Sequence, residues 1–347
     1  MIVITGPAVE SLEGTGHQLL EQARARVRPS LRDRVEGRLT ENRAAAGYHL
    51  GWLDEHGDPS EAGAGKAVRP ALCYAAAEAV EGDIKEAGSA AMTVQLVHDF
   101  SLAHDDIIDG DRVRRNRPAV WAAFGTPAGV LCGDALLSLA FITLAEAGGG
   151  GRALARLAEA VGELIEGEAL DMAFEQREQV RLGEYTAMAA AKTGALMGCA
   201  CALGALSAGC DENRADLLAA FGRHVGVAFQ ITDDVLGICG RQEVTGKPVG
   251  ADLASGKKTL PILAALASGT PAGRELAELY AGPGELADEH VDRATHLVTE
   301  AGGVTAARQE IERELQQALA ALAESGPAPR GRQQLTALAH VLTHRDQ

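Results

Sequence analysis

The chain has 347 residues, 46% of them hydrophobic and only 3% aromatic, with a formal net charge of −16. That balance suits an aliphatic, Ala-rich core of closely packed helices, and it argues against a basic face for nucleic acid or an anionic membrane. An anionic substrate must therefore be attracted locally, by clustered Arg and Lys and by bound metal.

Helical periodicity punctuated by Gly and Pro runs through most of the sequence, and convincing strand alternation is absent. Met1–Pro7 carries no basic leader, so no targeting segment is expected. Residues 16–28 and 30–46 predict two amphipathic helices broken at Pro29, and the Gly- and acid-rich stretch 54–65 predicts a loop. Gly65-Lys66-Ala67-Val68-Arg69-Pro70 then sets two cations three residues apart at a helix start, where the helix dipole also favours an anion.

Helices follow over 69–81 and 84–108. The second runs into Asp105-Asp106-Ile107-Ile108-Asp109, with Arg112, Arg114 and Arg115 close behind. On a helix, Asp105 and Asp109 face the same way, about 6 Å apart along the axis, while Asp106 points elsewhere and is placed to orient its neighbours. His98, more than a turn earlier, reads by default as a core or capping histidine.

Further helices are predicted over 117–124, 128–147, 150–174 and 182–207. The most membrane-like stretch, Ala195–Cys210, falls short of the roughly 20 residues a span requires, so it reads as a buried helix with no membrane span. The helix 212–238 carries a second acidic pair, Asp233-Asp234, followed by Gly237 and then by Lys247, Lys257 and Lys258. Helices over 259–268, 272–281, 287–301, 304–324 and 331–344 complete the chain, the last two separated by Ser325–Gly331. Cys73, Cys132, Cys199, Cys201, Cys210 and Cys239 lie in apolar surroundings without zinc-ligand spacing, which predicts buried free thiols and a reducing cytoplasm.

Two carboxylate groups with no His or Cys among them suit Mg²⁺, which takes one or two carboxylates plus substrate phosphate; Mn²⁺ is the alternative ion. The neighbouring cations would supply the rest of a diphosphate grip. Because these groups have to converge on one ligand, a single all-α domain is expected.

In order, Lys66/Arg69-Pro70, His98–Arg115, Lys192-Thr193, Phe229-Gln230 with Asp233-Asp234, Gly246-Lys247-Pro248, and Asp252-Leu253 with Gly256–Pro261 resemble the trans-isoprenyl diphosphate synthase (polyprenyl synthetase) family. The resemblance covers roughly residues 40–345 and leaves 1–40 as an N-terminal extension, helical or flexible, before a synthetase domain at 41–347. It implies an isoprenoid-synthase-type helical bundle around a central cavity. The implied reaction is prenyl elongation, in which an allylic diphosphate ionises and isopentenyl diphosphate attacks the cation. Asp105, Asp109 and Asp233 would hold Mg²⁺. Arg114, Lys192 and Lys247 would grip the allylic diphosphate, supported by Gln230, Thr193 and Lys257. Lys66, Arg69, His98 and Arg115 would hold isopentenyl diphosphate, with Phe229 against its hydrocarbon. Family members are commonly homodimers.

Two positions depart from the family pattern. Gly237 stands where the second motif usually has its third Asp, and Glu168 where the family commonly has Gln. Phe100 and Ser101, five and four residues before Asp105, are the candidate chain-length residues. One aromatic with no insertion in the motif implies geranylgeranyl diphosphate, with farnesyl diphosphate as the alternative. A class I terpene cyclase would share the fold but not need the second-substrate cations. A non-catalytic partner subunit is the remaining alternative, and Gly237 is the feature that points to it.

Overall fold

The computed structural model describes residues 7–344, apart from 64, 149, 178, 241–249, 281–285 and 287. These residues are helical throughout, except for loops and one two-stranded hairpin. They fall into two compact units. The first comprises Met1–Val161, Cys199–Ala219 and Ser325–Leu338, and the second Gly162–Gly198, Ala220–Glu324 and Ala339–Gln347.

In the first unit the chain opens on a single helix, α1 (Pro7–Arg38), where two helices broken at Pro29 were expected. Leu20, Ala23, Val27, Leu31 and Val35 recur every three or four residues and are all buried, so one apolar stripe fixes the helix. Pro29 and Ala25 lie on the exposed face, where the carbonyl that Pro29 cannot bond is left to water. The stripe packs on α3 (Val68–Ala79) and α4 (Gly88–Ile108), and α4 packs in turn on α6 (Thr126–Glu146). Between α1 and α3 lie the short α2 (Arg43–His49) and the loop that leads to Lys66.

After α4 the chain forms a hairpin, β1 (Val113–Arg114) with β2 (Arg117–Pro118), and then α5 (Val120–Phe124). The sequence predicts helix from 117, but Arg117 and Pro118 are strand. Strands of two residues are too short to show alternation, and a proline survives on such an edge. The turn residues Arg115 and Asn116 both have positive φ, 54° and 61°, which is the requirement of a two-residue hairpin loop of type I′. From outside the hairpin, the Tyr48 hydroxyl donates to Pro118 O at 2.8 Å, and the Arg117 guanidinium lies 4.1 Å from the Tyr48 ring centroid.

α7 (Gly151–Glu175) and α10 (Glu212–Cys239) contribute residues to both units. In the second unit, the helix expected over 182–207 is interrupted. It divides into α8 (Leu182–Ala189), a π-helical turn (Ala190–Gly194) and α9 (Ala195–Ser207), the last ending in the first unit. The turn is tightly framed. A β-carbon on Gly167 would stand 2.3 Å from Lys192 N, and one on Gly226 would stand 2.6 Å from Gly194 Cα. This unit also holds helices Ala251–Ala254, Leu260–Leu266, Pro271–Tyr280, Asp288–Glu300 and Gly303–Glu324, and the last helix, Pro329–Thr343, contributes residues to both units. All six cysteines are free thiols, but only Cys73, Cys132, Cys199 and Cys201 are buried as expected; Cys210 is half-buried and Cys239, at the end of α10, is exposed. Thr126–Glu146 and Leu182–Ser207 are long and apolar enough to cross a membrane by composition alone, and the second is mostly buried within the protein.

Candidate active site

The first unit gathers two groups of side chains along the second half of α4 and the hairpin that follows. Asp105 is half-buried near the end of α4, and Asp109 caps the helix and is exposed. No basic side chain stands in the last turn of α4, so the negative end of its dipole adds to the two carboxylates. Oxygen donors in such a field fit a divalent cation. Among the described residues, no group of three or more His, Cys, Asp or Glu is placed to complete a metal site unaided.

Asp106 is paired with Arg114. It is 1% exposed, and its Oδ1 accepts Arg114 Nε at 2.8 Å and Nη2 at 2.5 Å. Burial pushes the Asp106 carboxyl up, with the Arg114 guanidinium pulling the other way. Arg114 is thereby held beside Asp105 and Asp106, with its side chain still 30% exposed. The candidate diphosphate-gripping arginine is positioned by the middle aspartate of the motif.

The second group is cationic. Arg69, near the start of α3, and Arg115, at the hairpin tip, both bear on His98. Burial, then these two guanidinium groups, hold His98 well below its ordinary pKa, so it is neutral. His49, from the end of α2, is likewise pushed down by burial, to about 4. The Arg115 Nη2 donates to Asp99 Oδ1 at 3.3 Å. Lys66 is exposed, just before the N-cap Ala67. Of the four residues implied for isopentenyl diphosphate, Arg69 and Arg115 both act on His98, and Lys66 precedes Arg69 by three residues at the start of α3. Phe100 and Ser101 are both buried on α4. The Phe100 ring meets His104 edge-on at 5.0 Å, and Ser101 Oγ donates to His98 O at 2.9 Å.

In the second unit, Lys192 lies within the π-helical turn, a distortion often retained at functional sites. Its ammonium is 2.8 Å from Glu168 Oε2 and 2.7 Å from Asp171 Oδ2. Burial works against its charge, but Asp171 and Glu168 outweigh burial and raise its pKa above the usual value. This accounts for Glu168: its carboxylate is one of two that compensate a half-buried lysine.

Next to Lys192, Thr193 Oγ1 donates to Gln230 Oε1 at 2.8 Å, and Gln230 Nε2 donates to Asp234 Oδ1 at 3.2 Å. The buried Asp234 also accepts the Tyr185 hydroxyl. Asp234 is therefore the hub of a network that sets Gln230 and Thr193, while Asp233 and Phe229 are half-buried neighbours on α10. Gly237 is part of α10, and its carbonyl accepts the Gly250 amide at 3.2 Å. Lys257 is half-buried before the helix Leu260–Leu266. Lys247 lies outside the described residues.

Sequence reasoning missed His49, Gln95, Asp99, Asp171 and Tyr185. Tyr185 stands seven residues before Lys192 and Gln95 four before Asp99, both helical spacings that offered a signal.

The chain matches known proteins over most of its length. A family model described as polyprenyl synthetase matches residues 51–298. A (2E,6E)-farnesyl diphosphate synthase of Mycobacterium tuberculosis is 43% identical over 96% of this chain and 92% of its own length. A geranylgeranyl diphosphate synthase of the same organism is 42% identical over 95% of this chain and 94% of its own. Among solved structures, a polyprenyl synthase from Caulobacter crescentus CB15 complexed with calcium and isoprenyl diphosphate superposes with a TM-score of 0.84 at 32% identity, covering 99% of each chain.

Proposed function

The chain belongs to the polyprenyl synthetase family as a short-chain trans-prenyltransferase, and we propose that it makes geranylgeranyl diphosphate from isopentenyl diphosphate and an allylic diphosphate. The observation that carries the product is Phe100, a single buried aromatic on α4 shortly before Asp105, with the small Ser101 beside it. Farnesyl diphosphate is the second reading, favoured by the M. tuberculosis farnesyl diphosphate synthase of similar identity.

Asp105, Asp109 and Asp233 are the carboxylates assigned to Mg²⁺, an assignment supported by the calcium in the Caulobacter relative. When bound, the ion stabilises the charge on the departing pyrophosphate. Arg114, Lys192 and Lys247 bind the allylic diphosphate, and Arg69, His98 and Arg115, with Lys66, bind the isopentenyl one. The allylic C–O bond breaks, the isopentenyl double bond attacks the freed carbon, and a proton leaves. No covalent protein nucleophile is needed; fixed charges supply the catalysis.

Incubating the purified chain alone with labelled isopentenyl diphosphate, an allylic diphosphate and Mg²⁺ tests the whole reading. A C20 diphosphate is expected. A hydrocarbon product would mark a cyclase, and no turnover a partner subunit.

The two substrate sites are separable. Arg69→Ala raises the KM for isopentenyl diphosphate above all, and Lys247→Ala raises that for the allylic substrate. Each change removes a charge-assisted contact of roughly 1.5–3 kcal/mol, about tenfold in affinity or more. If both variants weaken the same substrate in steady-state kinetics, the site map is wrong.

We also propose a homodimer in the cytoplasm. Val130, Leu131 and Ile142 of α6 are exposed large apolar side chains, a face that a second copy of the chain would cover. The free cysteines suit a reducing compartment. Light scattering at micromolar concentration is expected to give twice the chain mass; a monomer contradicts the assembly.

A further inference from the structure

We propose that Asp99 is a positioning residue for the isopentenyl side, fixing the Arg115 guanidinium where the diphosphate meets it. The proposal rests on the reading of Arg115 given above.

Asp99 lies on α4 between His98 and Phe100 and is 1% exposed. A carboxylate this deep is unfavourable unless both oxygens find donors or cations. Its Oδ2 accepts Gln95 Nε2 at 2.7 Å, one helical turn back. Its Oδ1 accepts Arg115 Nη2 at 3.3 Å and faces His49 Nε2 at 3.8 Å. Burial holds His49 near a pKa of about 4, so the imidazole is neutral and Arg115 is the cation that compensates Asp99.

Arg115 needs that anchor. It occupies the first central position of the hairpin turn with φ 54°, a left-handed conformation that suits Asn or Gly and strains a long side chain. Such a residue persists where its surroundings over-determine it. Here they do: besides Asp99, the His49 carbonyl lies 3.4 Å from Nη1, and a β-carbon on Gly65 would stand 2.8 Å from Nη2. Arg69 and Arg114 stand in the same cluster around His98 and repel the guanidinium. Without the Asp99 charge, the favoured move for Arg115 is outward into water. Asp99 also borders a small cavity that α1 walls with Arg24 and Arg28, so the N-terminal helix adds further positive charge to this side.

Asp99→Asn keeps the shape and an acceptor for Gln95 but removes the charge. The expected result is a KM for isopentenyl diphosphate raised about tenfold, with kcat and the allylic KM unchanged. In an Arg115→Ala background, Asp99→Asn should add nothing, because its effect runs through Arg115. If Arg115→Ala itself leaves the isopentenyl KM unchanged, the reading of the site fails. If Arg115→Ala raises that KM but Asp99→Asn does not, or the two effects add, the proposal is overturned and the site reading stands. Circular dichroism melts establish that the variants fold. Should Asp99→Asn fail to fold, Asp99→Glu keeps the charge and displaces it by one methylene. A rise confined to the isopentenyl KM then supports the proposal, and no rise or an equal rise for both substrates overturns it.

Discussion

Asp105→Ala is expected to lower turnover by about a hundredfold or more, the scale on which one preorganised partner of developing charge is lost. Three features of α4 make the loss hard to repair. Asp106 is held by Arg114 and buried, so it cannot swing round to replace its neighbour. Asp109 is the helix cap and is exposed, so water screens its charge more and makes it the weaker half of the pair. Removing the Asp105 charge also reduces the negative field that the helix end and the two carboxylates build together. The measurement is kcat at saturating substrates over a Mg²⁺ titration. Excess metal should recover part of the rate. Near-normal turnover at ordinary Mg²⁺ would defeat the assignment of Asp105.

The long periodic helices were legible in the sequence because their apolar residues recur at helical spacing over many turns, as in α4, α6, α7 and α10. The aspartate and lysine motifs were legible because charge inside apolar helix is costly and therefore noticeable. What escaped was structure decided by distant contacts. The unbroken α1 follows from a buried stripe that outweighs one proline on the exposed face. The hairpin follows from Tyr48 and Arg117, which approach from elements far apart in the chain. The π-helical turn at Lys192 depends on the close approach of the Gly167 and Gly226 backbones, which no local pattern announces. The same holds for roles within the site. Glu168 is intelligible once Lys192 lies beside it. Asp234 has no ligand role in the sequence reading, and the structure shows it bonded to Gln230 and Tyr185.

Phe100→Ala is expected to shift the products beyond C20. Phe100 lies about 7.5 Å before Asp105 along the helix axis at the ordinary rise per residue. A prenyl chain whose diphosphate is held at Asp105 and Arg114 therefore grows past this level as it lengthens. The ring is 5% exposed and is braced edge-on by His104, so it is a fixed obstacle rather than a swinging one. Ser101 beside it is small and has its hydroxyl bonded to the His98 carbonyl, which leaves Phe100 as the bulk at this depth. Truncating a buried aromatic to alanine removes most of its volume, and the surrounding structure collapses only in part. The space that remains can take further isoprenoid units before the chain end meets a wall. The truncation is also destabilising, by about 3–5 kcal/mol for a buried Phe, so products must be compared in samples shown to be folded. Chromatography of the dephosphorylated prenols reads the outcome. Longer alcohols place the floor at Phe100, and an unchanged distribution from a folded variant assigns it to another residue.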